Sequence, residues 1–268
     1  MTSEIKRLTN ICQSGEPEQQ IASIEALVEL NATNAIPTFL LLFASPDPVV
    51  RFTAIQAVSE LAVEAELVGP ALLRLLNDGE DIVRSEAIDA LGRLCYEPAL
   101  AAVQTALLQD SSALVRASAA ETLGDLGEPV ALQSLECALQ DSDESVRAYA
   151  ANSCGLLADA AEINALARHL QSEPSSRVRA EILGAQYRLG SSNALIAFLE
   201  LIETSDDDLA PSLLNIVDDW LYRNTPIGLA NDVIQLHQGL RALAQRLPLQ
   251  QSHVDILTTQ LQTITLAG

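Results

Sequence analysis

The sequence predicts an all-α fold in which one helical hairpin is repeated along the chain. The composition is 49% hydrophobic but only 3% aromatic, and it is dominated by Ala and Leu, which favour closely packed helices over strands. The dipeptide Val-Arg recurs with a nearly constant period. Apolar residues follow each Arg at helical spacing. Together these three observations predict a stack of hairpins, each with a second helix that begins at the Arg.

The period is defined by arginines at positions 51, 84, 116, 147 and 179, which are 33, 32, 31 and 32 residues apart. Ala or Ile stands three residues after each Arg and Leu stands ten residues after it, so these positions form one apolar stripe of a helix. Extending the period reaches two copies without the Arg, at Gln20 and Pro211. Atypical terminal repeats are expected in a repeat array, because one of their faces meets solvent.

Acidic residues precede most of these arginines by six positions, in polar segments typical of turns. An Arg in the first turn of a helix opposes the helix macrodipole and therefore needs a compensating anion. We expect the turn acids to supply that anion. Arg suits this position better than Lys because its planar guanidinium can bind two acceptors at once.

The pattern resembles that of HEAT repeats, in particular the short units of phycobilisome lyase subunits. Units of that family carry an acidic residue in the turn, Val-Arg six residues later, and often a proline in the first helix, which Pro37 and Pro70 match. The resemblance implies a right-handed α-solenoid of about seven hairpins. It also implies a structural ladder in which each Arg bridges the acid of its own or a neighbouring turn. The residues of this ladder are Asp78, Arg84, Asp110, Arg116, Asp141, Arg147, Glu173 and Arg179.

A composition shift near residue 224 predicts a change of organisation. The segment from Asn224 to Gly268 contains two acids and two bases, so the whole net charge of −21 lies before it. We expect a repeat array at residues 1–223, with decayed first and last units, and C-terminal capping helices at residues 224–268. Two amphipathic helices are predicted there, at residues 226–247 and 249–266. The uncharged segment 258–265 could instead contact another subunit.

The strong negative charge argues against nucleic acid and anionic membrane surfaces as partners, because both would be repelled. No apolar stretch approaches the ~18 residues of a membrane span. The four cysteines have no paired or metal-like spacing, which indicates a reducing, cytoplasmic setting. Cys95 and Cys154 are expected in the core, whereas Cys12 and Cys137 could be more exposed. The three histidines are isolated and are expected at solvated positions.

The candidate functional surface is the face of the second helices, which lines the concave side of such arrays and generally serves recognition. Positions two, five and nine after each Arg lie opposite the apolar stripe. Carboxylates there could form an acid–base pair, a cation site, a partner contact or an ordinary solvated helix face. The predicted partner-binding residues are Glu86, Asp89, Arg93, Glu121, Asp125, Tyr149, Asn152, Glu181 and Arg188.

These features predict a non-catalytic scaffold or adaptor that binds one or more proteins, without a cofactor, a metal or catalytic residues. The resemblance allows two other functions, a bilin lyase-like or chaperone subunit acting on phycobiliproteins, or an accessory partner of iron–sulfur assembly. A bilin site would need cations for the propionates, whereas the central face offers only Arg93 and Arg188. The lyase is therefore disfavoured. Monomers, homodimers and heterodimers are all compatible with the sequence.

Overall fold

A computed structural model describes residues 3–61, 64–159, 163–223 and 230–267. Every regular element in these ranges is helical and none is a strand, which confirms the all-α prediction. The chain divides into two compact units, Met1–Ala138 and Leu139–Gly268. Within the same ranges, no helix combines the length and the apolar character that a membrane span requires.

The N-terminal unit contains nine α-helices in its described residues. They are α1 (Ser3–Ser14), α2 (Pro17–Glu29), α3 (Ile36–Leu42), α4 (Pro48–Glu60), α5 (Ala65–Leu75), α6 (Asp81–Arg93), α7 (Leu100–Gln109), α8 (Ala113–Leu126) and α9 (Leu132–Ala138). Short 3-10 turns precede α3, α7 and α9, at Thr33–Ala35, Glu97–Ala99 and Pro129–Ala131.

The C-terminal unit contributes seven more helices over the ranges given above. They are α10 (Glu144–Leu157), α11 (Ile163–Ser172), α12 (Ser176–Arg188), α13 (Ser192–Thr204), α14 (Ala210–Tyr222), α15 (Ala230–Arg246) and α16 (Gln251–Ala267). First and second helices of the predicted hairpins alternate along the chain. The second helices are α2, α4, α6, α8, α10, α12 and α14, and each of the five repeated arginines lies in the first turns of one of them.

Side-chain caps fix the beginning of several second helices. Asp47 Oδ1 accepts hydrogen bonds from the main-chain N–H groups of Val49 and Val50, at 2.8 and 3.2 Å, and Asp143 caps α10 in the same way. Such caps satisfy main-chain donors that have no partner within the helix. The apolar stripe predicted after each Arg is packed inside, as shown by the buried side chains of Ala54 and Val58 on α4.

The core of the C-terminal unit is built around Trp220 of α14. Its ring centroid lies 4.7 Å from that of Tyr187 and 4.9 Å from that of Phe198. Leu236 of α15 and Leu257 of α16 are buried in the same cluster. The helices after residue 224 therefore share a hydrophobic core with the preceding hairpins.

The predicted boundary near residue 224 and the predicted start at residue 226 fall on residues 224–229, which lie outside the described residues. From Ala230 onward the two predicted helices correspond to α15 and α16. Thr258 and Leu261 of the uncharged segment are buried within their own unit. The division of the chain at residue 224 remains a prediction.

Arg84 joins two successive turns of the N-terminal unit. Its Nε and Nη2 donate to the two carboxylate oxygens of Asp110, each at 2.8 Å. Its Nη1 donates to the main-chain carbonyl of Asp78, six residues earlier, at 3.0 Å. The guanidinium of Arg84 holds the pKa of Asp110 below its usual range. The sequence left open which turn supplies the acid, and here it is the following turn, while the Arg's own turn supplies a carbonyl.

The same arrangement recurs at other arginines. Arg51 donates to Asp78 at 2.7 Å and to the carbonyl of Ser45 at 2.8 Å. In the C-terminal unit, Arg147 donates to both carboxylate oxygens of Glu173, at 2.9 and 3.0 Å. It also donates to the carbonyl of Asp141 at 2.9 Å, and Arg116 donates to the carbonyl of Asp110 at 3.0 Å. Arg179 differs, since its Nη1 donates to the carbonyl of Leu170, nine residues earlier, at 3.1 Å.

We expect Arg84→Ala to lower the free energy of unfolding by about 1.5–3 kcal/mol. The substitution removes charge-assisted hydrogen bonds of a pair whose side chains are only 13% and 11% exposed, and it leaves Asp110 shielded without its cation. Urea denaturation followed by circular dichroism measures the change.

Arg7→Ala provides the matched control, because Arg7 makes a similar contact with Glu4 while both side chains are more than half exposed. Exposed ion pairs contribute little to stability, so the midpoint of this variant should stay at the wild-type value. Equal midpoints for the Arg84 variant and the wild type would contradict a structural role of the arginine–acid pairs.

Candidate functional site

The predicted partner-binding residues fall into two groups, one in each unit. In the N-terminal unit, Glu86, Asp89 and Arg93 lie on α6, and Glu121 and Asp125 lie on α8. The other four lie in the C-terminal unit, where Tyr149 and Asn152 are on α10 and Glu181 and Arg188 are on α12.

Small residues let neighbouring second helices approach closely. A Cβ atom at Gly92 of α6 would lie 2.9 Å from Thr122 Oγ1 on α8, and a Cβ atom at Gly155 of α10 would lie 2.6 Å from Ala185 Cβ on α12. Real Cβ atoms do not approach other atoms so closely. The glycines at these positions therefore serve packing, and the close approach removes part of the second-helix face from solvent.

Glu86 is buried on the side of α6 that faces α4. Its residue surface is only 7% exposed, and Arg93 Nη2 donates to its Oε1 at 2.5 Å while also contacting Ser59 Oγ on α4 at 3.0 Å. Burial raises the pKa of Glu86, and the contact with Arg93 opposes that shift. Of the possibilities left open for this face, an ordinary solvated position does not apply to Glu86, and its burial also limits the contact with a partner that was predicted for it.

Asp89 is partly buried one turn further along α6. Burial raises the pKa of its carboxyl, while a hydrogen bond with Ser118 of α8 lowers it. Ser118 is itself buried and its hydroxyl lies 2.8 Å from that of Ser85. The centre of this face is thus a polar layer between helices, and it leaves Asp89 only partly available to a partner.

Exposed carboxylates remain on the helices that flank this layer. Glu121 and Asp125 are exposed on α8, and Glu60 is exposed at the end of α4. Glu25 and Glu29 are exposed on α2, and with Glu60 they line a groove of ≈ 350 Å³ between α2 and α4. The groove's lining residues are Ile24, Glu25, Val28, Glu29, Thr53, Gln56, Ala57 and Glu60.

The sequence prediction missed Glu25 and Glu29 because their repeat lacks the Arg from which positions were counted. They stand five and nine residues after Gln20, so the repeat period would have found them. It also missed the position two residues before each Arg. This position lies about one helical turn before the first predicted position, which is two residues after the Arg. Exposed aliphatic side chains occupy this position in three successive second helices, namely Val49, Ile82 and Leu114.

In the C-terminal unit, three of the four predicted residues, Asn152, Glu181 and Arg188, belong to a polar network between helices. Tyr149 is partly buried on α10. Asn152 Nδ2 donates to Glu181 Oε2 at 3.3 Å. Arg188 forms an ion pair with Asp219 of α14, and Arg223 Nε donates to the other oxygen of that carboxylate at 2.7 Å. The Arg188 side chain is 11% exposed, and its Nε is buried without a hydrogen-bond partner.

Burial dominates the electrostatics of this network and raises the pKa of Glu181 to about 7. The charges of Arg177 and Arg188 oppose the shift, whereas the charge of Asp219 adds to it. Burial also lowers the pKa of Arg188. Glu181 and Arg188 are therefore placed to stabilise the packing of α10, α12 and α14 more than to contact a partner.

The cysteines and histidines do not converge on a second site. Cys154 is buried as predicted, but Cys95 is exposed, contrary to expectation. Cys12, for which the sequence allowed an exposed position, is buried. Cys95 has a left-handed backbone, with φ of 49°, just after α6 ends, so it has left the helix's apolar stripe. Burial raises the pKa of Cys12 to about 11, and Cys137 is exposed.

The histidines, predicted at solvated positions, are half-buried, and the side chain of Gln140 contacts His169 Nδ1 at 2.9 Å. In the part of the chain that the structure describes, no three His, Cys, Asp or Glu side chains converge as a metal ion would require.

We expect the stability of the protein to fall between about pH 5 and pH 8 through Glu181. Its folded-state pKa of about 7 lies above the ordinary value of 4.5. The unfolded chain therefore releases this proton at lower pH than the folded protein does. As the pH rises between the two pKa values, the free energy of unfolding falls. Glu181→Gln replaces the carboxyl with an amide of similar shape and removes the titration. The free energy of unfolding of this variant, relative to that of the wild type, should therefore be higher at about pH 8 than at about pH 5.

Urea denaturation of the wild type, Glu181→Gln and Glu200→Gln at both pH values tests this expectation. Glu200 is an exposed carboxylate on α13 of the same unit, so its substitution should leave the pH dependence as in the wild type. The same pH dependence for all three proteins would show that Glu181 is not the responsible group.

Comparison with solved structures identifies similar folds. The complex of CpcE and CpcF of phycocyanin lyase from Nostoc sp. PCC7120 matches with a TM-score of 0.59 and 17% identity, over 85% of this chain and 94% of that chain. The Escherichia coli protein YibA matches with a TM-score of 0.51 and 14% identity, over 98% of this chain and 97% of that chain. Such identities show similarity of fold alone.

Comparison of the sequence with known protein families identifies the family of this chain. No curated protein sequence matches the chain significantly. HEAT repeats match residues 5–78, 69–144 and 135–213, which together cover most of the chain and confirm the resemblance seen in the Val-Arg period. The chain therefore belongs to the HEAT-repeat family.

Proposed function

We propose that the protein is a cytoplasmic, non-catalytic HEAT-repeat module that binds another protein through the second-helix face of its N-terminal unit. The observation that carries this proposal is the recurrence of exposed carboxylates at two equivalent positions of that face. They are Glu25 and Glu29 on α2, Glu60 on α4, and Glu121 and Asp125 on α8. Repeat proteins commonly use such extended surfaces for recognition.

The negative charge of this face favours a positively charged partner. The chain carries a net charge of −21, and its acidic face would repel nucleic acid and anionic lipid. A protein segment rich in Lys or Arg would be attracted to the same field, which raises its association rate. Arg93, the cation at the centre of the face, is engaged by Glu86 and Ser59, so it offsets little of the surrounding negative charge.

Reversing two of these charges should weaken partner binding without unfolding the protein. We expect Glu121→Arg/Asp125→Arg to recover several-fold less partner in a pull-down from native extract, because it replaces two exposed carboxylates of the face with cations. Recovery by the wild type should also fall as salt is raised, since exposed charges are screened beyond ~8 Å at physiological ionic strength. Mass spectrometry quantifies each recovered protein.

The control is Glu200→Arg/Glu203→Arg, which makes the same change of net charge on α13, a first helix of the C-terminal unit. This variant should recover the partner as the wild type does, once thermal melts show that all three proteins are folded. Identical recovery with all three would show that recognition does not depend on the acidic face.

A lyase-like or chaperone role on phycobiliproteins is the second candidate. It is favoured by the fold similarity to the phycocyanin lyase complex, which extends over 94% of that chain, and by the resemblance of the repeat units. Such a protein would act as one subunit of a homodimer or a heterodimer. Incubation with apo-phycocyanin and a free bilin separates the lyase-like role from the scaffold, because only a lyase produces a covalent, coloured adduct that survives denaturing gel electrophoresis. A chaperone role would instead show as binding of apo-phycocyanin without that adduct.

A further inference from the structure

The second-helix face of the N-terminal unit has two chemically different edges. At the beginning of α4, α6 and α8, three exposed side chains form what we call the aliphatic row. Its residues are Val49, Ile82 and Leu114, which are 47%, 38% and 49% exposed. At the opposite ends of α4 and α8 lie the exposed carboxylates of Glu60 and Asp125, with Glu121 one turn before Asp125.

The fold does not require aliphatic residues in this row. The same position, two residues before the repeated Arg, is occupied by Ser145 in α10 and Arg177 in α12. Isolated exposed aliphatic residues are common on proteins and need no explanation. Three in succession at one repeat position, where a polar residue is accepted in the next two repeats, form an aligned apolar edge that a binding partner would use.

We propose that this face binds an amphipathic α-helix of the partner protein. The helix lies across α4, α6 and α8, with its aliphatic edge on the aliphatic row and its Lys and Arg side chains directed toward Glu60, Glu121 and Asp125. This inference rests on the proposed function, because it names the occupant of the same face. An amphipathic helix without basic residues would gain only the first of these two contacts.

The dimensions of the face suit a helix. Val49 and Glu60 are 11 residues apart on α4, which corresponds to about 16 Å along the helix axis. An α-helix with its side chains is about 10–12 Å wide, and long Lys or Arg stems can extend beyond that width to reach the carboxylates. A bound helix can therefore contact both edges at once.

The spacing along the stack also suits a helix. Packed helices lie about 8–10 Å apart, and an α-helix presents the same face every seven residues, or about 10.5 Å. Partner residues at positions i, i+7 and i+14 would thus meet Val49, Ile82 and Leu114 in turn. An extended strand would gain less here, because a surface of helices offers no main-chain edge for strand pairing.

A synthetic peptide tests the inference directly. The probe is a fluorescein-labelled peptide of about 21 residues, with Leu repeated every seven residues and Lys along one adjoining side. Two comparison peptides are a scrambled sequence of the same composition and a version with Glu in place of Lys. By fluorescence anisotropy at physiological salt, the wild-type protein should bind the amphipathic peptide about tenfold or more tighter than either comparison peptide.

Substitutions in the row have a matched control. Val49→Ser/Ile82→Ser/Leu114→Ser should weaken binding of the amphipathic peptide about tenfold or more. The control replaces three equally exposed or more exposed aliphatic residues on the first helices α3, α5 and α7, as Leu41→Ser/Leu67→Ser/Leu108→Ser, whose wild-type residues are 67%, 56% and 50% exposed. This control should bind as the wild type does. Circular dichroism melts confirm that both variants are folded.

The results separate this inference from the proposed function. Equal binding of the scrambled and amphipathic peptides, or wild-type binding by the row variant, would overturn the helix as occupant. The charge-reversal pull-down would still report independently on partner binding by the acidic face. Light scattering tests whether a second copy of this chain covers the row. A dimer that dissociates when the row is substituted would show this, and it would also overturn the inference.

Discussion

The fold depends on an arginine that joins consecutive turns. In the contact made by Arg84, the guanidinium binds a main-chain carbonyl of its own turn and both carboxylate oxygens of Asp110 in the next one. Because the guanidinium is planar, its donors fix direction as well as distance. Within each unit, the contact therefore sets the position of one hairpin relative to the next at Arg51, Arg84 and Arg147. It also offsets the unfavourable placement of a cation near the start of a helix.

Close packing of the second helices determines which polar residues remain available for binding. Gly92 lets α6 and α8 approach closely, and on the side of α6 that faces α4, Glu86 is buried against Arg93, which also contacts Ser59. In the C-terminal unit the same effect encloses Glu181 beside Asn152. A carboxylate taken from water in this way shifts its pKa upward and needs hydrogen-bond partners. Polar residues on this face are consequently either enclosed between helices or left exposed, according to how closely the neighbouring helix approaches.

The fold could be predicted from the sequence because its determinants are local and repeated. The Val-Arg period gave the hairpins, and apolar spacing gave the buried stripe, whose members Ala54 and Val58 are indeed buried. The partner acid of each Arg could not be predicted: for Arg84 the sequence offers Asp78, six residues before it, and Asp110, 26 residues after it. Spacing along the chain does not show which of the two lies closer in space. The burial of Glu86 was also missed, since it depends on the distance between helices, which side-chain spacing along one helix does not encode.

Differences between repeats separate what folding requires from what it permits. The repeated Arg is retained in five hairpins, whereas the position two residues before it holds Val49, Ile82, Leu114, Ser145 and Arg177 in succession. A position that tolerates aliphatic, polar and charged residues contributes little to packing, so its chemistry is free to follow binding. In α4, α6 and α8 this position is aliphatic, and exposed acids lie at the other ends of α4 and α8. In α10 and α12 it is polar. The same repeat thus carries different chemistry along the chain: α4, α6 and α8 present exposed aliphatic and acidic side chains, whereas polar residues of α10, α12 and α14 pair with one another.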